Sequence, residues 1–186
     1  MNQKTARRII KLLGWKIAPG EDVMVPEEKV VFLAAPHTSI WDFVIGYLYF
    51  RAVGDKARVM IKKDAFVFPL GPVLKALGGF PIDRSHPQKV IMSVMHEMQK
   101  GGTFHLCLCP EGTRKAVRKW KTGYHSIAMQ TGATVYLGHF DYKTKTFGHG
   151  PKFELTGDAR ADTDAIQQIY EDMHLTALHP DGYVTR

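Results

Sequence analysis

The sequence predicts an α/β fold: a single domain with a mostly parallel central sheet flanked by helices. Three observations point to it. Short apolar runs of strand length alternate along the chain with longer stretches of helical period. Such alternation is the mark of strands joined by crossover helices, which run parallel. The 186 residues suit one domain with a sizeable core, and no repeat, low-complexity tract or evident linker divides them.

Residues 4–17 have helical period. Ala6, Ile9, Ile10, Leu13 and Ile17 share one face, Lys4, Arg7, Arg8 and Lys11 form a basic flank, and Trp15 lies near the end. A basic amphipathic segment with a tryptophan suits a membrane interface or, equally, packing on its own domain. Pro19-Gly20 ends it. Strands are then predicted over 29–35, 58–62, 79–82, 103–109 and 134–140, with another near 147–155. Helices are predicted over 40–52, 73–77, 87–100, 124–130 and 163–175. Within this framework Phe66, Val67, Phe68, Leu70, Val73, Leu74 and Leu77 are expected mostly in the core, with an acyl channel as the alternative. The tail from 179 to 186 is expected to be loosely ordered.

Composition narrows the function classes. Apolar residues make up 45% and charged residues 23%, as in ordinary globular proteins. No run approaches the ~18 uninterrupted apolar residues of a membrane span, and the segment 40–50 is broken by Asp42. The N-terminus does not read as a secretory signal, because its apolar part is short and interleaved with charge. A net charge of +7 suits an anionic membrane surface, an acidic carrier protein or nucleic acid, and no nucleic-acid-binding motif supports the last. Two cysteines, Cys107 and Cys109, exclude a disulfide scaffold and suit a reducing cytoplasm. His105, Cys107 and Cys109 would share one side of a strand, but its outer two would sit ~13 Å apart. Ligands of one zinc lie within ~2.3 Å of it, so no metal site is expected there, and the cysteines are expected as small buried hydrophobes.

Three blocks carry chemistry. The first, His37-Thr38-Ser39-Ile40-Trp41-Asp42, follows the apolar run 30–35. It puts an imidazole at a strand end and a carboxylate in the first turn of the next helix, where the helix dipole suits negative charge. A carboxylate on one ring nitrogen fixes the tautomer and leaves the other nitrogen free to take a proton from a hydroxyl. Read blandly, Ser39 with Asp42 is only a capping box. The second block is Gly79-Phe80-Pro81-Ile82-Asp83-Arg84, and the third is Pro110-Glu111-Gly112-Thr113-Arg114. Arg84 alone would be an exposed ion pair, and Arg114 alone part of a turn held by Gly112. Aimed into one cleft, the two guanidinium groups would form a fork for a phosphate. The basic run Lys115, Arg118, Lys119 and Lys121 follows.

In order, spacing and wording the three blocks resemble the glycerolipid acyltransferases, the family that includes 1-acylglycerol-3-phosphate acyltransferase. The likeness spans residues 30–142. It implies an acyltransferase-like sandwich over residues 19–186, preceded by an amphipathic helix over 1–18. It implies transfer of an acyl chain from a thioester, on coenzyme A or acyl carrier protein, to a hydroxyl of a lysophospholipid. In that scheme His37 is the general base and Asp42 orients it. Arg84 and Arg114 hold the acceptor phosphate, and Glu111, Gly112 and Thr113 shape the acceptor site. Lys62 and Lys63 match basic positions of the family less specifically. The acyl thioester is a co-substrate, so no further cofactor and no metal are implied. Backbone amides near Gly112 or the helix start are the expected oxyanion donors. The expected place is cytoplasmic and peripheral, on the inner face of a membrane with an anionic surface. The chain departs from the family at Pro36, where asparagine is usual, at Lys115, where serine often stands, and at 135–138, which lack a proline. Two alternatives remain: a thioesterase or lysolipid hydrolase using the same pair, and a non-catalytic lipid- or carrier-binding module. A cysteine nucleophile is disfavoured, because neither cysteine has a base placed as clearly as Asp42 stands to His37.

Overall fold

The apolar runs at 29–35, 58–62, 79–82, 103–109 and 134–140 become strands. The computed structural model describes residues 1–83 and 85–185. In chain order the elements are α1 (Gln3–Leu12), β1 (Lys16–Ile17), β2 (Lys29–Ala35), α2 (Trp41–Val53), β3 (Arg58–Lys62), α3 (Leu70–Ala76), β4 (Gly79–Ile82), α4 (Pro87–Gln99), β5 (Phe104–Leu108), α5 (Gly123–Thr131), β6 (Thr134–Asp141), β7 (Thr146–Gly148), β8 (Lys152–Phe153) and α6 (Ala159–Asp172). Short 3₁₀ turns cover Lys63–Ala65 and Pro180–Gly182.

The strands form one sheet in the order β1-β7-β6-β2-β5-β3-β4, with β8 also paired to β6. β4, β3, β5, β2 and β6 run parallel, so their carboxyl ends share one edge. β6 to β7 and β6 to β8 are antiparallel, and β1 pairs parallel with β7. β2 is central, with Leu33 beside Leu108 of β5 and Leu137 of β6. Its run 30–35 is buried throughout because helices cover both faces. On one face Val30, Phe32 and Ala34 pack with α1 and α2; on the other, Val31, Leu33 and Ala35 pack with α4, α5 and α6. The alternating strand period thus splits the core into two layers.

The sequence-based expectation of an α/β domain with a mostly parallel sheet is met, and the differences are local. The first helix stops at Leu12, not 17, and the chain turns at Leu13–Gly14 so that Lys16–Ile17 can join β7. Trp15 is buried, 5.0 Å from the Tyr142 ring and 5.5 Å from that of Phe147. It is therefore a core residue and no interfacial anchor. The predicted strand near 147–155 is two short strands, each antiparallel to β6. Val67, Phe68, Leu70 and Val73 are exposed, contrary to the expectation of core packing. In the tail, Tyr183 packs against the α4–α6 layer, and the Gln167 amide donates to the Thr185 carbonyl.

Candidate active site

His37 sits where β2 leaves the sheet, and Asp42 lies in the first turn of α2, which folds back over it. His37 Nδ1 is 3.1 Å from Asp42 Oδ2. That oxygen can only accept, so Nδ1 carries the proton and Nε2 is left unprotonated in the neutral ring. The same Oδ2 accepts the backbone N–H groups of Thr38 and Ser39, each at 2.8 Å. Oδ1 accepts the Tyr142 hydroxyl at 2.5 Å. Four donors thus converge on a carboxylate that is 2% exposed, and they replace the water it has lost. The capping expectation is corrected here: Ile40, not Ser39, precedes α2, and Ser39 Oγ accepts from the Trp41 N–H at 3.2 Å. Asp42 secures the loop by reaching back to it.

Two other buried histidines also face carboxylates. His105 Nδ1 lies 2.6 Å from Asp55 and its Nε2 2.7 Å from the Glu27 carbonyl, so both nitrogens are engaged. His125 Nε2 lies 3.0 Å from Asp162, with both side chains buried. His37 differs in two ways. Its side chain is 23% exposed, and its Nε2 has no partner among the described residues. Of the three, it is the one that can meet a substrate.

Glu111 comes from the third block, at the end of β5, and is buried. Its Oε1 accepts the His37 backbone N–H at 2.8 Å, tying the third block to the first. Oε2 has no hydrogen-bond partner among the described residues. Burial pushes the carboxyl up to about 7, with the His37 N–H pulling the other way. The expected role in shaping the site thus takes a concrete form: Glu111 grips the backbone that carries the imidazole. Gly112 turns the chain in a left-handed conformation at φ +68, and its N–H donates to the Cys109 carbonyl at 3.0 Å. The Gly112 amide is thus engaged, as are the Thr38 and Ser39 amides with Asp42.

Thr113 Oγ1 accepts from the Lys115 N–H at 3.3 Å. Arg114 is exposed, and among the described residues its guanidinium makes no ion pair or hydrogen bond. The C-terminal turn closes beside it. The His179 N–H donates to Thr38 Oγ1 at 3.2 Å. A Cβ at Gly182 would come 3.0 Å from the Arg114 carbonyl oxygen and 3.2 Å from Thr38 Cγ2, so this turn seats closely against the first and third blocks. Arg84 lies outside the described residues. Lys63 pairs with Asp83 at 2.6 Å, and Lys62 with Asp64. A cavity of about 230 Å³ is lined by Lys62, Lys63, Asp64, Ile82, Asp83 and Ser85. Cys107 is buried, its thiol pushed up to about 12 by burial, which suits packing and not nucleophilic attack.

The sequence model of the acyltransferase family matches residues 20–136, well over half of the chain. This chain belongs to the acyltransferase family. All the site residues described above except Tyr142 and the C-terminal turn fall within that match. No match was found among curated protein sequences. Among solved structures, the chain is similar to the 1-acyl-sn-glycerophosphate (LPA) acyltransferase PlsC from Thermotoga maritima. The TM-score is 0.59 at 14% identity, covering 95% of this chain and 80% of that one. At that identity the likeness establishes the shared α/β fold.

Tyr142 was not anticipated from the sequence. It lies 100 residues beyond Asp42, and a lone tyrosine after an apolar run carries no local signal. Tyr142→Phe removes one donor from a buried carboxylate, which is expected to cost about 1–3 kcal/mol. In a chain of this size that is a fall in Tm of roughly 2–12 °C, measurable by thermal denaturation. An unchanged Tm would mean that the hydroxyl does not support Asp42.

Proposed function

We propose that this acyltransferase moves an acyl chain from a thioester, on coenzyme A or acyl carrier protein, to the hydroxyl of a lysophospholipid such as 1-acylglycerol-3-phosphate. The observation that carries the reading is the free Nε2 of His37, with Nδ1 held by Asp42, at the sheet edge where α/β folds bind ligands. Nε2 takes the proton of the acceptor hydroxyl as its oxygen attacks the thioester carbonyl carbon. Asp42 balances the charge on the resulting imidazolium. The tetrahedral intermediate collapses, the carbon–sulfur bond breaks, and the proton on Nε2 passes to the leaving thiolate. A thioester is already activated, so no covalent enzyme intermediate is required. Arg114, exposed beside the dyad's loop and without a partner among the described residues, is the cation available to an acceptor phosphate. Arg84 is proposed as its companion on the family pattern alone. The name of the Thermotoga maritima protein agrees with this acceptor class.

The test is product analysis with two acceptors: 1-acylglycerol-3-phosphate and the same lipid lacking the phosphate. Diacyl product from the phosphorylated acceptor supports the proposal, whereas thiol release that ignores both acceptors makes the protein a hydrolase. If Arg114 grips the phosphate, Arg114→Ala is expected to raise KM for the phosphorylated acceptor roughly 10–150-fold, the loss of one charge-assisted contact. The phosphate-free acceptor should be unaffected. Arg114→Lys should rescue poorly, because a two-pronged donor becomes a point charge. Equal losses on both acceptors would remove Arg114 from the phosphate site.

A further inference from the structure

The segment that follows α6 crosses the carboxyl edge of the sheet. It meets β6, β2 and β5 in the order in which those strands lie side by side. At the end of β6 the Tyr142 N–H donates to the Thr176 carbonyl at 2.8 Å, and the Thr176 N–H to Asp141 Oδ1 at 3.2 Å. Beyond β2 the His179 N–H donates to Thr38 Oγ1 at 3.2 Å. Beyond β5 Gly182 lies close to the Arg114 carbonyl and to Thr38, where an added Cβ would come within 3.0 and 3.2 Å of them. The Thr185 carbonyl then accepts from Gln167 of α6, whose amide also donates to the Arg118 carbonyl at 3.0 Å.

Every loop touched in this crossing carries a side chain of the site. Tyr142 gives its hydroxyl to Asp42, Thr38 adjoins His37, and Arg114 is the cation proposed for the acceptor phosphate. The segment is seated on both sides of the crossing. Ala177 is 4% exposed, and Tyr183 packs against the core layer of α4–α6. Burial, together with the charge of Glu111, pushes the Tyr183 hydroxyl's pKa up, which places this ring beside the third block. Between these anchors residues 178–181 are exposed. They add little to the core; what they supply is a fixed spacing between loops. Thr38 is the junction. Its N–H donates inward to Asp42, and its Oγ1 accepts outward from the segment.

We infer that residues 176–185 are a strap that positions the His37 loop against the loops of Tyr142 and Arg114, and that Thr38 is the positioning residue through which it acts. This rests on the acyl-transfer reading, in which His37 must meet a hydroxyl while the same acceptor is held elsewhere. Misplacing a reacting group by about 1 Å can cost about 10²-fold in rate. A loop tied only from within, by Asp42 and Glu111, would leave that distance free to drift.

The experiment compares the full-length wild type with Thr38→Val, Thr38→Ser and Gly182→Val. Valine keeps the shape of threonine and removes the acceptor, serine keeps the acceptor, and a side chain at 182 wedges the segment off. Each protein is taken through thermal denaturation, kcat and KM for 1-acylglycerol-3-phosphate, and hydrogen exchange of the backbone over residues 37–42. Thr38→Val should stay folded and hold KM within about twofold, while kcat falls roughly 10–100-fold. Its exchange over 37–42 should run about tenfold faster, the loss of one hydrogen bond. Thr38→Ser should match wild type, and Gly182→Val should follow Thr38→Val; if Gly182→Val does not fold, the Thr38 pair decides. Wild-type kcat and exchange in Thr38→Val overturn the strap. An equal loss in Thr38→Ser overturns it as well, as does a loss of kcat with exchange unchanged, which would place Thr38 against substrate. If no protein transfers an acyl chain, faster exchange in Thr38→Val but not in Thr38→Ser keeps the strap and overturns the acyl-transfer reading, and unchanged exchange overturns both.

Discussion

His37→Ala is expected to give a folded protein whose acyl transfer falls more than ~10³-fold, toward the uncatalysed background. The fold should survive because little packing is lost. The imidazole is partly exposed, and the backbone N–H that Glu111 holds remains in place. The rate should not survive, because the proton acceptor of the proposed reaction is removed. His105 has both ring nitrogens engaged, and His125 is buried against Asp162. The check is a rate measurement paired with thermal denaturation, so that loss of chemistry is not confused with loss of structure. Near-normal turnover by a folded His37→Ala protein would remove His37 from the mechanism.

Asp42→Asn is expected to lower the rate by roughly 10²–10⁴-fold. The amide oxygen of asparagine can still accept the Thr38 and Ser39 N–H groups, so the loop should hold. Its nitrogen then faces the Tyr142 hydroxyl, which must turn to accept where it had donated. What is lost is the negative charge that orients the ring and balances the imidazolium. A moderate fall in Tm with a large fall in rate is the expected signature. Equal and small effects on both would make Asp42 a loop brace alone.

These effects follow from a site that is only partly legible in the sequence. The strands at 29–35, 58–62 and 79–82 have the predicted bounds; the clearest is 29–35, which is buried almost throughout, reads as an unbroken apolar run and is followed by Pro36. The His37–Asp42 pair is visible for a similar reason: five residues across a strand-to-helix turn make the contact a local one. Long-range contacts leave no such trace. The hydroxyl that Tyr142 gives to Asp42, the carboxylate that Glu111 gives to the His37 backbone, and the turn at Gly182 that closes on Thr38 depend on strand order and on the path of the tail. Period misleads for residues 4–17, where the apolar face continues past Leu12 into β1. The same apolar stripe serves first a helix and then a strand against β7. The segment at 66–77 has core-like composition, yet exposes Phe68 at the site edge.

The most direct test of direct transfer by the dyad separates thiol release from acceptor use in time. The protein is mixed with acyl thioester alone, and free thiol is followed; 1-acylglycerol-3-phosphate is then added, and thiol and diacyl product are followed together. The expected result is a flat thiol trace before the addition, followed by thiol and product rising one for one, with both signals absent in His37→Ala. A burst of thiol equal to the protein concentration before any acceptor is present would show a covalent acyl-enzyme. A steady release without acceptor would show hydrolysis. Either result would contradict direct transfer by His37 and Asp42.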